Sequence, residues 1–239
     1  MEGFARTLDR IIAVSPDRLS VFNYAHLPER FKPQRRINAA ELPAPAEKLA
    51  ILRMTGEKLA AAGYVYIGMD HFAKPDDELA RAQRDGTLYR NFQGYSTHSD
   101  CDLVGIGITS IGMVGPTYAQ NVKTLEAYYE HIDAGRLPLF KGLTLTRDDE
   151  IRRDVITRLI CHFRLRFADV EGRWGIGFAD YFADELARLD QMVADELLRV
   201  TPAGVEVLPR GRFLIRNVCM VFDAYLKSAA VQQRFSRVI

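Results

Sequence analysis

The chain has 239 residues, 48% hydrophobic and 26% charged, with a formal net charge of +1. This globular mix has room for one large or two ordinary domains, and its charge balance provides no long-range pull on nucleic acid or anionic lipid. No apolar run approaches the roughly 18 residues of a spanning helix, and the opening residues do not read as a secretion signal, so the expectation is a cytoplasmic protein with neither membrane nor nucleic-acid partner.

Phe4 to Val14 carries apolar residues at a helical period, and Pro16-Asp17 ends it. Arg18 to Tyr24 reads as a strand, and Ala25 to Pro45, with four of the ten prolines and the basic cluster Lys32, Arg35 and Arg36, reads as a long loop. Ala46 to Ala62 is a helix with Leu49, Ile51, Leu52 and Leu59 on its apolar side and Gly63 as its stop. Tyr64 to Gly68 is a second strand. Helix, strand, helix, strand in succession is the grammar of βα units, which predicts a parallel sheet. A short helix follows over Asp76 to Arg84, begun by Pro75 with acids in its first turn.

Asp102 to Gly115 is an apolar run laced with Gly105, Gly107, Gly112 and Gly115. It reads as a buried strand whose glycines mark a bulge, a bend or a close approach to bare backbone. It lacks the spacing of a dinucleotide fingerprint, which would need glycine at Ser110. A helix is expected from about Asn121 to Ala134, closed by Gly135. Near Leu145 the character changes. Thr146 to Asp149 resembles a capping box, and Ile151, Val155, Leu159, Ile160 and Phe163 form a helical stripe. Short helices over Tyr181 to Leu186 and Gln191 to Leu197, a hairpin turning at Pro202 to Gly204, and a helix from Arg212 to Leu226 complete a pattern that resembles a winged-helix module. A domain boundary is placed between Pro138 and Leu145, giving units 1–140 and 141–239.

Cys101, Cys161 and Cys219 are too scattered for a disulfide framework or an iron–sulfur site, and the last two sit in apolar helical patterns as small core residues. The five histidines show no metal-ligand spacing. Neither a catalytic residue nor a metal ligand is assigned. Asp70-His71, at a strand end, reads either as an oriented base or as a hydrogen-bonded turn. Asn91-Phe92-Gln93-Gly94-Tyr95 suits stacking on a flat, polar-edged ligand, and equally suits a turn with Phe92 as a core plug.

The segments 91–95 and 102–115, with Gly68-Met69-Asp70-His71-Phe72-Ala73 and the C-terminal Phe235-Ser236-Arg237-Val238-Ile239, resemble the oxygen-independent coproporphyrinogen III oxidases from end to end. These are radical S-adenosylmethionine enzymes. The resemblance implies an α/β fold: the last βα units of a radical-SAM partial TIM-like barrel, then a mostly helical, winged-helix-like C-terminal domain. It implies S-adenosylmethionine contacts at Ala25, through backbone in the Asn23-Tyr24-Ala25-His26 segment, and at Phe92, Gln93 and Ile111. It further implies coproporphyrinogen III as substrate, whose propionates would pair with a cation such as Arg35, Arg36 or Arg90. The family's 4Fe–4S cluster is held by a Cys-x-x-x-Cys-x-x-Cys motif that this sequence lacks, so the chain reads as a piece whose N-terminal, cluster-binding half lies elsewhere. The alternative from a different class is a non-catalytic binding module, its winged-helix-like end facing a protein or nucleic-acid partner.

Overall fold

The computed structural model describes residues 1–227. Helix α1 (Glu2–Val14) ends at Ser15, whose left-handed φ of 57° lets its N–H return to the Ile11 carbonyl before Pro16. Strand β1 (Arg18–Ser20) is shorter than its apolar run, and the loop after it contains only two short 3-10 turns, Lys32–Arg36 and Ala39–Glu41. Helix α2 (Pro45–Ala61) has proline in its first turn, but buries Thr55, Gly56 and Leu59 rather than the Leu49 end of its stripe.

Strands β2 (Val65–Gly68) and β3 (His71–Ala73) form a tight hairpin, and β1 joins it in the order β1-β3-β2 with both pairings antiparallel. The parallel sheet expected from element order is therefore corrected at the level of pairing. The turn at Met69-Asp70 sends β3 back between β1 and β2, which run alike but are not paired with each other. Helix α3 (Glu78–Asp85) is capped by Asp77, whose carboxylate accepts the Leu79 N–H, and stops at left-handed Gly86.

A second hairpin, β4 (Tyr89–Asn91) and β5 (Gly94–Ser96), precedes the glycine-rich run. The run is not one buried strand. Only β6 (Ile111–Val114) is extended, while Val104 and Ile106 are 72% and 83% exposed. Positive φ at Gly107, Thr109 and Gly115 folds the segment back on itself. A Cβ on Gly112 would stand 2.8 Å from the Leu103 carbonyl oxygen, so the close approach foreseen from the glycines is backbone against backbone within the run.

Strand β7 (Thr117–Asn121) occupies the residues just ahead of helix α4 (Leu125–Asp133), which starts later than its pattern suggests because Thr124 supplies the cap. Strand β8 (Leu139–Thr144) then completes the antiparallel sheet β6-β7-β8. The stretch read as a domain boundary is thus an edge strand.

Helix α5 (Arg147–His162) begins with the expected capping box: Asp149 N–H donates to Thr146 Oγ1 and Thr146 N–H donates to Asp149 Oδ2. Phe163 ends α5 in the left-handed region instead of extending its stripe. Strand β9 (Arg164–Arg166), helices α6 (Phe167–Trp174), α7 (Phe178–Tyr181), α8 (Ala183–Ala187) and α9 (Asp190–Ala194), and the hairpin β10 (Leu198–Thr201) and β11 (Gly204–Val207) follow. Strand β9 adds a third member, in the order β10-β11-β9, that the sequence pattern does not announce. The single last helix is broken into α10 (Pro209–Arg212), α11 (Ile215–Val221) and a 3-10 turn, Ala224–Lys227. The matched segment 235–239 lies outside the described residues.

The largest core lies in the C-terminal part. Phe167 stacks on Phe178 at 4.1 Å, Phe178 lies 4.8 Å from Phe182, and Phe182 meets Phe222 edge-on at 5.6 Å. Two smaller cores fill the N-terminal part, and Tyr66 and Ile160 pack against more than one of the three. Gln83 locks these layers: its Nε2 donates to the carbonyls of Ile67 at 2.6 Å and Cys161 at 3.0 Å. No described helix is long and apolar enough to cross a membrane.

Candidate functional site

The β4–β5 hairpin places Phe92 and Gln93 at its tip. Asn91 pairs with Gly94, and the Asn91 side chain accepts the Gln93 N–H at 2.8 Å, which shapes the turn. Phe92 is 54% exposed and touches Tyr118 of β7 edge-on at 5.1 Å. It is therefore no core plug. Ile111, the first residue of β6, pairs with Gln120 of β7. Phe92 and Ile111 meet across a small cleft with Tyr118, Gln120, Lys141 and Leu143, which offers an aromatic wall, an amide and an ammonium. That set fits a flat ligand with polar edges and a carboxylate, as an S-adenosylmethionine site requires. Gln93 is exposed beside the cleft and Ala25 lies on the loop after β1, its carbonyl accepting Gln34 Nε2 at 3.1 Å.

Phe92, Tyr118 and Leu143 also border a larger cavity of about 600 Å³ between the hairpin and α5. Its walls include Tyr89, Met113, Ile156 and Ile160, and Arg90, Arg152 and Arg153 supply positive charge. Arg35 and Arg36 sit on an exposed 3-10 turn, with Arg35 bonded to the Pro28 carbonyl. The structure thus separates Arg90 from those two.

At the strand ends, His71 Nδ1 lies 2.9 Å from Asp70 Oδ1, and Ser20 Oγ donates to Asp70 Oδ2 at 3.0 Å. Burial works against the Asp70 carboxylate, but the bonds from His71 and Ser20 outweigh it and hold its pKa below the ordinary value. His71 meets the Tyr95 ring edge-on at 5.3 Å. Both readings of this pair meet in the geometry: Asp70 stands in the hydrogen-bonded turn between β2 and β3, and its carboxylate orients the His71 imidazole.

The cysteines do not suit a cluster. Cys161 and Cys219 are buried thiols; burial pushes Cys161 up to about 12 and Cys219 well above its usual value, while Cys101 is exposed on another segment. Among the described residues no group of three His, Cys, Asp or Glu side chains could hold a metal ion. No step is therefore assigned to an iron–sulfur centre in this chain.

Comparison with known proteins gives one answer. Residues 145–214 match the HemN C-terminal domain. The whole chain is 56% identical to an oxygen-independent coproporphyrinogen III oxidase of Pseudomonas aeruginosa, covering 52% of that relative. It is 45% identical, again along its whole length, to one from Thermostichus vulcanus, of which it covers 74%. The chain belongs to the oxygen-independent coproporphyrinogen III oxidase family. A solved coproporphyrinogen III oxidase from Escherichia coli, described as a radical SAM enzyme, superimposes with a TM-score of 0.90 at 55% identity, over 94% of this chain and 52% of that one. The chain spans about half the length of most of the relatives named here. The α/β fold implied by the resemblance to these oxidases is the one found, and a whole-chain match to enzymes does not favour the binding-module alternative. Sequence reasoning missed Tyr118, Lys141 and Leu143, because β7 fell between the glycine-rich run and the expected helix, and β8 fell where a boundary was expected. The strand signal was present in Thr117-Tyr118-Ala119 but was outweighed by the helical period that follows.

Proposed function

We propose that this chain forms the C-terminal half of an oxygen-independent coproporphyrinogen III oxidase, contributing one wall of an S-adenosylmethionine site and the domain that closes the substrate cavity. The single observation that carries the reading is the meeting of Phe92 and Ile111 at one cleft beside a larger cavity, within a chain 45–56% identical to such oxidases along its length. When bound, S-adenosylmethionine would supply the radical that starts oxidative decarboxylation of two propionates to vinyl groups. This chain's residues hold and orient. Phe92 and Ile111 would flank the cofactor, Gln93 would donate and accept at its polar edge, and Ala25 would contact it through backbone. The apolar wall of Met113, Ile156 and Ile160 would exclude water around the ring system. The cluster ligands would lie in the half of the relatives that this chain does not cover. Three free thiols suit a reducing compartment, so the cytoplasm is the proposed location. Units 1–140 and 141–239 are kept as the working division.

The test supplies the N-terminal half of the Escherichia coli relative, fused to or co-expressed with this chain, and measures anaerobic vinyl formation from coproporphyrinogen III. Activity is expected, and Gln93→Ala or Ile111→Ala should each lower it on the order of a hundredfold by loosening the reacting geometry. Activity within a few-fold of the parent for both variants would remove these residues from the site.

A further inference from the structure

The large cavity holds a guanidinium that pairs with no carboxylate among the described residues. Arg90 stands on β4, half-buried, its guanidinium 5.4 Å from the Tyr95 ring centroid. Its Nε is buried without a hydrogen-bond partner among the described residues, and no described carboxylate lies within ion-pair distance of it. The neighbouring arginines are engaged. Arg152 reaches Asp148 at 2.8 Å, Glu185 at 3.0 Å and the Phe222 carbonyl at 3.0 Å. Arg153 pairs with Glu150 at 3.6 Å and leans on Tyr118 Oη at 3.5 Å. The two carboxylates lining the cavity are engaged as well, Asp149 by Thr146 and Asp223 by the Tyr225 N–H. A buried polar group without a partner costs free energy, and a guanidinium is a planar fork matched to a carboxylate.

We propose that Arg90 is the carboxylate anchor of this cavity, gripping one propionate of a flat, largely apolar ring ligand whose body lies against Tyr89, Met113, Tyr118, Ile156 and Ile160. The cavity volume falls in the range of small-molecule sites, about 300–1,000 Å³. Its wall is largely apolar and, among the described residues, Arg90 is the one lining cation without an ion-pair partner, which selects a ligand that is hydrophobic in its body and anionic at its edge. The tetrapyrrole identity of that ligand rests on the function proposed above. The carboxylate at Arg90 does not.

The experiment titrates the chain with coproporphyrin III, the fluorescent oxidised tetrapropionate, and with its neutral tetra-amide, following porphyrin emission and anisotropy. A charge-assisted hydrogen bond is worth roughly ten- to hundredfold in affinity. Arg90→Gln should weaken the tetrapropionate by that factor and leave the tetra-amide within about twofold, and Arg90→Lys should recover part of the loss. The exposed Arg199→Gln serves as the charge control, and a urea midpoint within experimental error of the parent certifies the fold of each variant. Equal losses for acid and amide would reduce Arg90 to a structural support for Tyr95, and no loss, or no binding by the parent chain, would also overturn the anchor. A third arm separates the two proposals. Arg90-dependent binding of a pyrrole-propionate with no gain for the full porphyrin would keep the anchor while removing the tetrapyrrole reading. Tight porphyrin binding indifferent to Arg90→Gln would do the reverse.

Discussion

Replacing Phe92 by alanine distinguishes a ring that faces a ligand from a ring that fills a core, and the structure sets the size of the difference. Phe92 is 54% exposed and makes one edge-on aromatic contact, with Tyr118. Burial of about half a phenylalanine side chain contributes about 1 kcal/mol, and the edge-to-face contact adds about 0.5–1.5 kcal/mol. Phe92→Ala should therefore cost about 1.5–2.5 kcal/mol. Phe178 is fully buried, stacked on Phe167 and against Phe182, so Phe178→Ala should cost about 3–5 kcal/mol. Urea denaturation followed together by far-ultraviolet circular dichroism and by the single tryptophan, Trp174, which packs on the C-terminal core, reads both. With a slope of roughly 3 kcal/mol/M, the midpoint should fall by about 0.5–0.8 M for Phe92→Ala and about 1–1.7 M for Phe178→Ala. Phe92→Ala should also lose most of its S-adenosylmethionine binding in the assembled enzyme. A Phe92→Ala midpoint as low as that of Phe178→Ala, with cofactor binding unchanged, would refute the ligand-facing assignment.

Three further outcomes follow from burial and charge. Cys101 alone should be alkylated in the native chain, since burial keeps the Cys161 and Cys219 thiols protonated, and anaerobic reconstitution with iron and sulfide should give no cluster absorbance; native labelling of two or more cysteines, or stoichiometric cluster uptake, would contradict the structure. Because the folded Asp70 pKa lies below its unfolded value, its stabilisation is complete above the ordinary carboxylate range and drains away as pH falls through the folded value, below about pH 4. Asp70→Asn should flatten the fall in urea midpoint between pH 6 and 3, and parallel curves for parent and variant would rule this out. Gly211→Ala should destabilise by about 1–3 kcal/mol, because the new Cβ would run into the Leu197 carbonyl, whereas Gly172→Ala in α6, with nothing within 4 Å, should stabilise by about 0.5–1 kcal/mol; thermal melts that rank the two variants the other way would be decisive against this packing.

Local chemistry alone was enough for several elements. The capping box at Thr146–Asp149, the hairpin around Ala203 and the core character of Cys161 and Cys219 all depend on residues within one or two turns of each other, so they are legible without the fold. The resemblance likewise named Ala25, Phe92, Gln93 and Ile111, of which the fold brings Phe92 and Ile111 to one cleft. What tertiary structure decided is pairing and company. Whether β1 joins β2 or β3 depends on a turn at Met69-Asp70 whose positive φ no periodicity reports. The glycine-rich run looked buried because its residues are apolar, yet its glycines let it fold against its own backbone and leave Val104 and Ile106 in solvent. Arg90 could be named beside Arg35 and Arg36 from sequence, but only the packing of β4 against α5 shows which of the three lies in a cavity with no counter-ion among the described residues. Charge type is written in the sequence; the partner that would neutralise it comes from a distant part of the chain or from a ligand, and only the fold shows which.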